Sequence, residues 1–420
     1  MISKHLQYET SKTVMQYLDA NLRFKIAQHT PTLRSIERIV PLQIRKLEIG
    51  DANIVINGTK YTFSVHRESL DGSKLVSELD CDYDEFGFPM YPGRINVLPG
   101  DIDLRDARGL PVHWKYDTDR DERHYRSKLQ DLNEQRQKEQ GQLYFSYQDQ
   151  TYQKAIEGCK AELAPFDTRR KKTPLPYIPS LQLTIESPDG KKHIQRAPYT
   201  LMLYENMKKL SIRFFGSQNS IVQVGTLVIS ARDCILRFPV DLKVHIRNLK
   251  FEIRSGVSYN ILNYSALAPL IITPLNSLDI LVVNNDFQNL EHKFVKEAKE
   301  LIIGKFRPHS RLLDTWKNLK NQKVHLKYDM DGTISWYFNK LIDHWMLEGK
   351  PVGSCYTFEI DSVLIYGTVS AVEMRPEVIE QSESSVTLPM KNGSKLVISS
   401  EIQRNASRGV LKIKVNRSRQ

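Results

Sequence analysis

Six short apolar runs recur through the second half of the chain and limit what it can fold into. They are LVIS at Leu227, LKF at Leu249, LDILV at Leu278, LII at Leu301, VHL at Val324 and FEI at Phe358. Each is too short for a helix and rich in Leu, Val, Ile or Phe, so each reads as a strand. Their spacing runs from the low twenties to the mid thirties, with candidate helices between several of them. A strand plus a helix at such a period is the unit of an irregular leucine-rich horseshoe, here without the asparagine ladder of a regular one. The expected class is therefore α/β, in the mixed α+β sense. Stacked strands of this kind make an extended surface suited to a protein partner.

Upstream, residues 1–41 read as three short helices. Val14, Tyr17 and Leu18 share one face, Asp19 caps a second helix holding Leu22 and Ile26, and Thr30-Pro31 starts a third lined by Leu33, Ile36 and Val40. Residues 42–118 begin with strands, and Asn57-Gly58 supplies the tight turn of a hairpin. An acidic patch follows (Glu78, Asp80, Asp82, Asp84, Glu85), but it lacks the ligand order of a calcium loop and reads as solvated. Residues 119–168 hold a charged helix with a thin apolar stripe (Tyr125, Leu129, Leu132), then a helix carrying Ile156, Cys159 and Leu163. The basic, Pro-rich stretch 169–179 reads as a linker to an α/β domain over 180–420.

Composition narrows the function classes. With 40% hydrophobic and 26% charged residues, the 420-residue chain is ordinary for a globular protein. No run approaches the roughly 18 apolar residues of a membrane span, and the first residues lack the apolar centre of a secretory signal, so an intracellular site, cytoplasm or nucleus, is expected. Cys81, Cys159, Cys234 and Cys355 lie far apart without metal-ligand spacing and are expected as core thiols. Neither a metal nor another cofactor is expected. The net charge of +11 is dispersed. Its densest regions are Arg169–Lys172, a short nuclear-localisation-like run, and a tail with Arg404, Arg408, Lys412, Lys414, Arg417 and Arg419. That tail alternates with Val410, Leu411, Ile413 and Val415, the pattern of a half-exposed terminal strand. Weak nucleic-acid binding through it is the third functional reading.

The sharpest chemical motif is KVHLKYDMDGTI, Lys323 to Ile334. A strand running into Asp329-Met330-Asp331-Gly332-Thr333 resembles the first motif of haloacid-dehalogenase-type phosphatases. That resemblance implies Asp329 as nucleophile and Asp331 as general acid/base beside magnesium. The downstream lysine and acidic pair of that chemistry do not follow. A turn at Asp331-Gly332, with Thr333 capping a helix whose Phe338, Leu341 and Trp345 share a face, accounts for the same residues. A magnesium-dependent phosphatase is accordingly the alternative, and no catalytic residue is assigned.

Five longer stretches resemble a nematode-expanded family that carries a domain of unknown function and is related to F-box and F-box-associated proteins. They are Tyr8–Leu42, Asp82–Arg105, Arg169–Ile185, Leu236–Phe251 and Thr333–Gly353. The last is similar to the helix-centred segment of F-box-associated domains. The first forty residues are similar to an F-box in size and helix count, with Tyr17-Leu18-Asp19 at a familiar place, although the usual Leu-Pro start is absent. The resemblance implies a non-enzymatic interaction module that extends to a substrate receptor of a cullin–RING ubiquitin ligase. Tyr17, Leu22 and Phe24 would then meet a Skp-type adaptor, and the C-terminal domain would hold an unknown protein substrate.

Overall fold

Asp19 and Pro31 set the starts of two of the three N-terminal helices in the computed structural model, and Thr30 makes no side-chain cap. The structure describes residues 2–70, 78–90, 96–105, 118–140, 145–175, 177–216, 221–231, 234–252, 263–272, 275–281, 292–306, 312–328, 335–402 and 407–418. Helices α1 (Ile2–Tyr17), α2 (Ala20–His29) and α3 (Pro31–Ile39) come first. Asp19 caps α2, accepting the Asn21 amide at 2.9 Å, and Pro31 opens α3. Met15, Ile36 and Val40 bury together, with Leu18, Ile26 and Leu33 packed on them. Helices α2 and α3 are too short to hold alone, so this shared interior stabilises them.

Arg23, only 1% exposed, ties the helices to the chain that leaves them. Its Nη1 donates to the Pro41 carbonyl at 2.8 Å, and its Nη2 donates to the Glu37 and Val40 carbonyls at 2.9 and 2.8 Å. Nη2 also meets Glu37 Oε1 at 3.3 Å. The guanidinium thereby satisfies carbonyls that the end of α3 leaves open.

The remaining elements follow in chain order. Strands β1 (Gln43–Ile49), β2 (Asn53–Ile56), β3 (Thr59–Ser69), β4 (Glu78–Leu79) and β5 (Ile102–Asp103) precede helices α4 (Asp119–Glu139) and α5 (Phe145–Lys171). Next are β6 (Tyr177–Glu186), β7 (Lys192–Pro198), α6 (Leu203–Phe215), β8 (Val222–Ile229), β9 (Ile235–Leu236), β10 (Val244–Phe251) and a 3-10 turn at Tyr264–Leu267. Then come β11 (Ser277–Leu281), α7 (Lys293–Glu297), β12 (Glu300–Phe306), α8 (Leu312–Asn318), β13 (Lys323–Tyr328), α9 (Ser335–Glu348) and β14 (Cys355–Asp361). The last are α10 (Ser362–Glu373), β15 (Glu380–Ser382), β16 (Ser385–Pro389), β17 (Lys395–Ile402) and β18 (Arg408–Asn416). Asn57 and Gly58, between β2 and β3, take φ of 51° and 91°, the left-handed pair expected at that turn.

Contacts divide the chain into two units: residues 1–59, 97–110 and 211–420, and residues 60–96 and 111–210. In the first, strands run in the order β15-β16-β17-β18-β14-β13-β12-β11-β10-β8-β1-β2. From β1 through β8, β10, β11, β12 and β13 to β14, every neighbour is parallel. Their register stacks Leu47, Leu227, Leu249, Leu278, Leu301, Val324 and Tyr356 in one buried column. All six apolar runs seen in the sequence are therefore adjacent strands. On the same side, Phe358 meets Trp316 of α8 at 5.2 Å and Phe338 of α9 at 4.7 Å between ring centroids. Trp345 of α9 packs edge-on to Tyr356 at 4.7 Å. Helices thus cover the apolar face of a mixed α/β sheet.

The C-terminal strands extend this sheet antiparallel. The basic tail does form a half-exposed strand with Leu411, Ile413 and Val415 buried, and β18 lies between β14 and β17. A bend at Gly393 (φ 78°) joins β16 to β17. Elsewhere in this unit β5 pairs with β9, and Asp101 forms a buried ion pair with Arg237. Gly100, at φ +82°, makes that arrangement fit: a Cβ there would lie 2.5 Å from the Val240 nitrogen. Both strain and clash oppose a side chain. Gly100→Ala is expected to cost about 2 kcal/mol or more, read as a lowered melting temperature, whereas Gly367→Ala, with open space around it, is expected to be neutral or stabilising.

In the second unit, β4, β3, β6 and β7 form an antiparallel sheet. Helices α4 and α5 pair antiparallel through Arg126–Asp167 (2.8 Å) and Arg136–Asp149 (2.6 Å). Phe88, Leu163 and Phe166 make an apolar cluster, against which Tyr125 and Leu129 of the thin α4 stripe pack. The basic stretch from 169 reads differently here than as a linker. Arg169 to Lys171 close α5, Tyr177 to Pro179 open β6, and both ends belong to the same unit.

Candidate functional site

A parallel sheet covered by helices on one face leaves the other to be read residue by residue. Opposite the leucine column, one register level holds Lys46, Thr226, Asn248, Ser277, Glu300, Lys323 and Cys355. The next holds Glu48, Val228, Lys250, Asp279, Ile302, His325 and Thr357. Only Val228 and Ile302 are apolar aliphatic residues among these, and most of the others are half-buried. Hydrogen bonds run across the strands: Ser277 Oγ donates to Asn248 Oδ1 at 3.0 Å, and Asn248 Nδ2 donates to Thr226 Oγ1 at 3.5 Å.

Charge on this face is held in a short network. Lys250 Nζ lies 2.6 Å from Glu252 Oε1 and 3.9 Å from Asp279 Oδ2. The Glu252 hydrogen bond raises the Lys250 pKa, and burial raises that of Asp279 against the pull of Lys250 and Lys327. Burial and then Lys327 lower the His325 pKa, which favours the neutral imidazole. Its Nδ1 is 2.5 Å from Thr357 Oγ1, and its Nε2 is 3.9 Å from Glu359 Oε2. A hydroxyl, an imidazole and a carboxylate in a row suggest acyl transfer. However, the carboxylate is beyond hydrogen-bond reach, and β13 and β14 each pair on both sides, so their amides are spent in the sheet rather than aimed at an oxyanion. The arrangement suits hydrogen bonding to a partner.

The residues singled out on the N-terminal helices separate. Tyr17 is 83% exposed and Leu22 is 45% exposed. Phe24 is half-buried and stacks on Phe214 at 4.7 Å. A four-residue helical reading put Leu22 and Ile26 on one face; it had no means to place Phe214. Asp329 and Asp331 lie outside the described residues.

The acidic patch contains one residue the sequence reading misplaced. Asp82 is buried, with Oδ1 accepting from the Tyr199 hydroxyl at 2.6 Å and the Leu203 amide at 2.5 Å. It caps α6 rather than facing water. Asp84 accepts the Phe86 and Phe88 amides and shapes a turn. Burial raises the Asp82 pKa above its ordinary 3.8, with the Leu203 and Tyr199 hydrogen bonds opposing. A carboxyl whose folded pKa exceeds its unfolded one binds its proton more tightly when folded. Stability therefore falls as pH rises from the unfolded value through the folded one. Asp82→Asn keeps the acceptor and removes the titration. Thermal melts across that window are expected to lose this slope, and an unchanged slope would assign it to another group.

Among the described residues, no group of three or more His, Cys, Asp or Glu is placed to hold a metal ion. No helix among them is long and apolar enough to cross a membrane. Cys159 and Cys234 are buried, and Cys81 and Cys355 are half-buried.

A family model described as Domain of unknown function (DUF3557) matches residues 202–362. That span begins at α6 and takes in β8 to β14, the parallel strands with their helices. No curated protein and no solved structure matches the chain.

Proposed function

We propose that the protein is a non-enzymatic protein-interaction module that holds its partner on the polar face of the parallel sheet. The observation that carries this is the division of one register into two chemistries. A buried column of near-uniform apolar residues builds the scaffold, and a hydrogen-bonded row of Thr226, Asn248 and Ser277 lines the opposite face. Scaffolds of stacked repeats use such extended faces for binding.

In the finer form of this reading, the chain is a substrate receptor of a cullin–RING ubiquitin ligase. Exposed Tyr17 and Leu22 meet a Skp-type adaptor, and Phe24 holds α2 in place through Phe214. Two experiments separate the levels. A photo-crosslinking amino acid at Ser277 is expected to capture protein adducts in cells, more than the same group at Lys192 on β7. Equal capture at both positions would remove the assignment of the face. Co-purification of a Skp-type adaptor, lost in Tyr17→Ala/Leu22→Ala, tests the ligase form; failure to co-purify removes that form and leaves the module.

A further inference from the structure

The polar face changes character where the parallel strands give way to β18. At one register level, Lys323 of β13 and Lys414 of β18 flank Cys355 of β14 from either side. At the next, Lys412 stands opposite Thr357, and Lys395 of β17 points to the same side one step beyond Lys414. Lys323 and Lys414 are exposed, and Lys412 and Lys395 are half-buried. Their charges reach the Cys355 thiol, where Lys412, Lys414 and Lys323 together oppose the upward push of burial on its pKa. Among the described residues, no carboxylate lies within ion-pair distance of any of the four. Glu300, beside Lys323 on β12, marks the border of the patch.

We propose that this lysine patch docks an extended acidic segment of a partner protein, with carboxylates at alternate positions. The inference rests on the reading of the polar face as a contact surface and names the chemistry that one part of it selects. The spacing supports an extended occupant. Lys412 and Lys414 are two residues apart on one strand, about 6.8 Å, the same repeat that alternate side chains of an extended peptide present. Lys323 and Lys414 lie two strand spacings apart, about 9.6 Å, so a peptide along β14 passes between them. The identity of the side chains supports a carboxylate ligand. None of the positions facing this patch on β13, β14, β17 and β18 is Phe, Tyr or Trp, so unpaired bases find no stacking platform. The four cations of the patch are lysines, point charges rather than the arginine fork that fits phosphate, and Arg408 on the same face of β18 lies four residues from Lys412.

The test uses the full chain and a fluorescein-labelled peptide of alternating Glu and Ser, read by polarisation in roughly 50 mM salt, where screening is weak. Lys412→Glu/Lys414→Glu is expected to weaken binding roughly tenfold or more, and the milder Lys412→Gln/Lys414→Gln to weaken it less. Lys128→Glu/Lys154→Glu, exposed positions on α4 and α5, changes the net charge equally and is expected to leave affinity within about twofold. A Gln-Ser peptide should not bind. Equal loss from both Glu double variants would assign the effect to overall charge and overturn the proposal. An oligouridylate that binds more tightly than the peptide, and is lost in Lys412→Glu/Lys414→Glu, would assign the patch to nucleic acid instead. Absence of peptide binding, with circular dichroism unchanged, also overturns it. If the Ser277 crosslinks persist while the peptide fails, only this inference falls; the converse result removes the broader face and leaves the patch.

Discussion

Arg23→Ala is expected to destabilise the first unit by about 3–5 kcal/mol, the range seen when one partner of a buried ion pair is removed. The expectation follows from what the guanidinium leaves behind. Glu37, itself buried, would lose its contact with the guanidinium, and the Glu37, Val40 and Pro41 carbonyls would lose the Arg23 donors. Unsatisfied buried acceptors each cost on the order of 1–3 kcal/mol, and these share one site, so the costs overlap rather than sum. Urea unfolding followed by tryptophan emission reads chiefly this unit, since three of the four tryptophans, Trp316, Trp336 and Trp345, lie in it. Arg38→Ala, exposed on α3, is the control and should stay within about 0.5 kcal/mol. A double replacement, Arg23→Met/Glu37→Met, separates the two roles. It removes both members of the ion pair but does not restore donors to the carbonyls, so it should recover part of the loss and not all of it. Full recovery would show the ion pair alone to matter.

The second large effect is expected at the centre of the apolar column. Leu301 is fully buried between Leu278 and Val324, so Leu301→Ala removes contacts to both neighbouring strands and opens a cavity. The expected cost is about 2–5 kcal/mol. Ile302, one residue along, faces the polar side and is half-buried, and Ile302→Ala should cost about 1 kcal/mol or less. The contrast between adjacent residues tests the register directly, because a one-residue slip would exchange their fates. Comparable losses at the two positions would contradict the alternation described for β12.

Much of this scaffold was legible in the sequence because local chemistry and long-range packing agree there. Asp19, Pro31 and Asn57-Gly58 each act within a turn or two of chain, and each appears as expected. The repeat of apolar runs was visible because a parallel stack reuses one register. What stayed hidden depends on partners distant in sequence. Asp82 reads as a surface acid until α6, more than a hundred residues on, is set against it. The basic stretch at Arg169 has the composition of a linker, but its arginines end a helix, where positive charge is favourable. The lysine patch was invisible for the same reason: Lys323 and Lys414 are ninety-one positions apart, 414 minus 323, and meet only because β14 pairs with both their strands. The alternation Lys323, His325, Lys327 gives β13 one wet face, although the strand is central in the sheet and parallel to both its neighbours.

The position of β18 has a consequence for how the protein is made. It follows in the chain every strand it joins, yet it fills the gap between β14 and β17. On the ribosome, both of those strands wait with bare hydrogen-bonding edges until β18 emerges. A nascent or clipped chain without β18 would offer two sticky borders to its neighbours, and chaperone dependence should be concentrated in the interval before that strand joins.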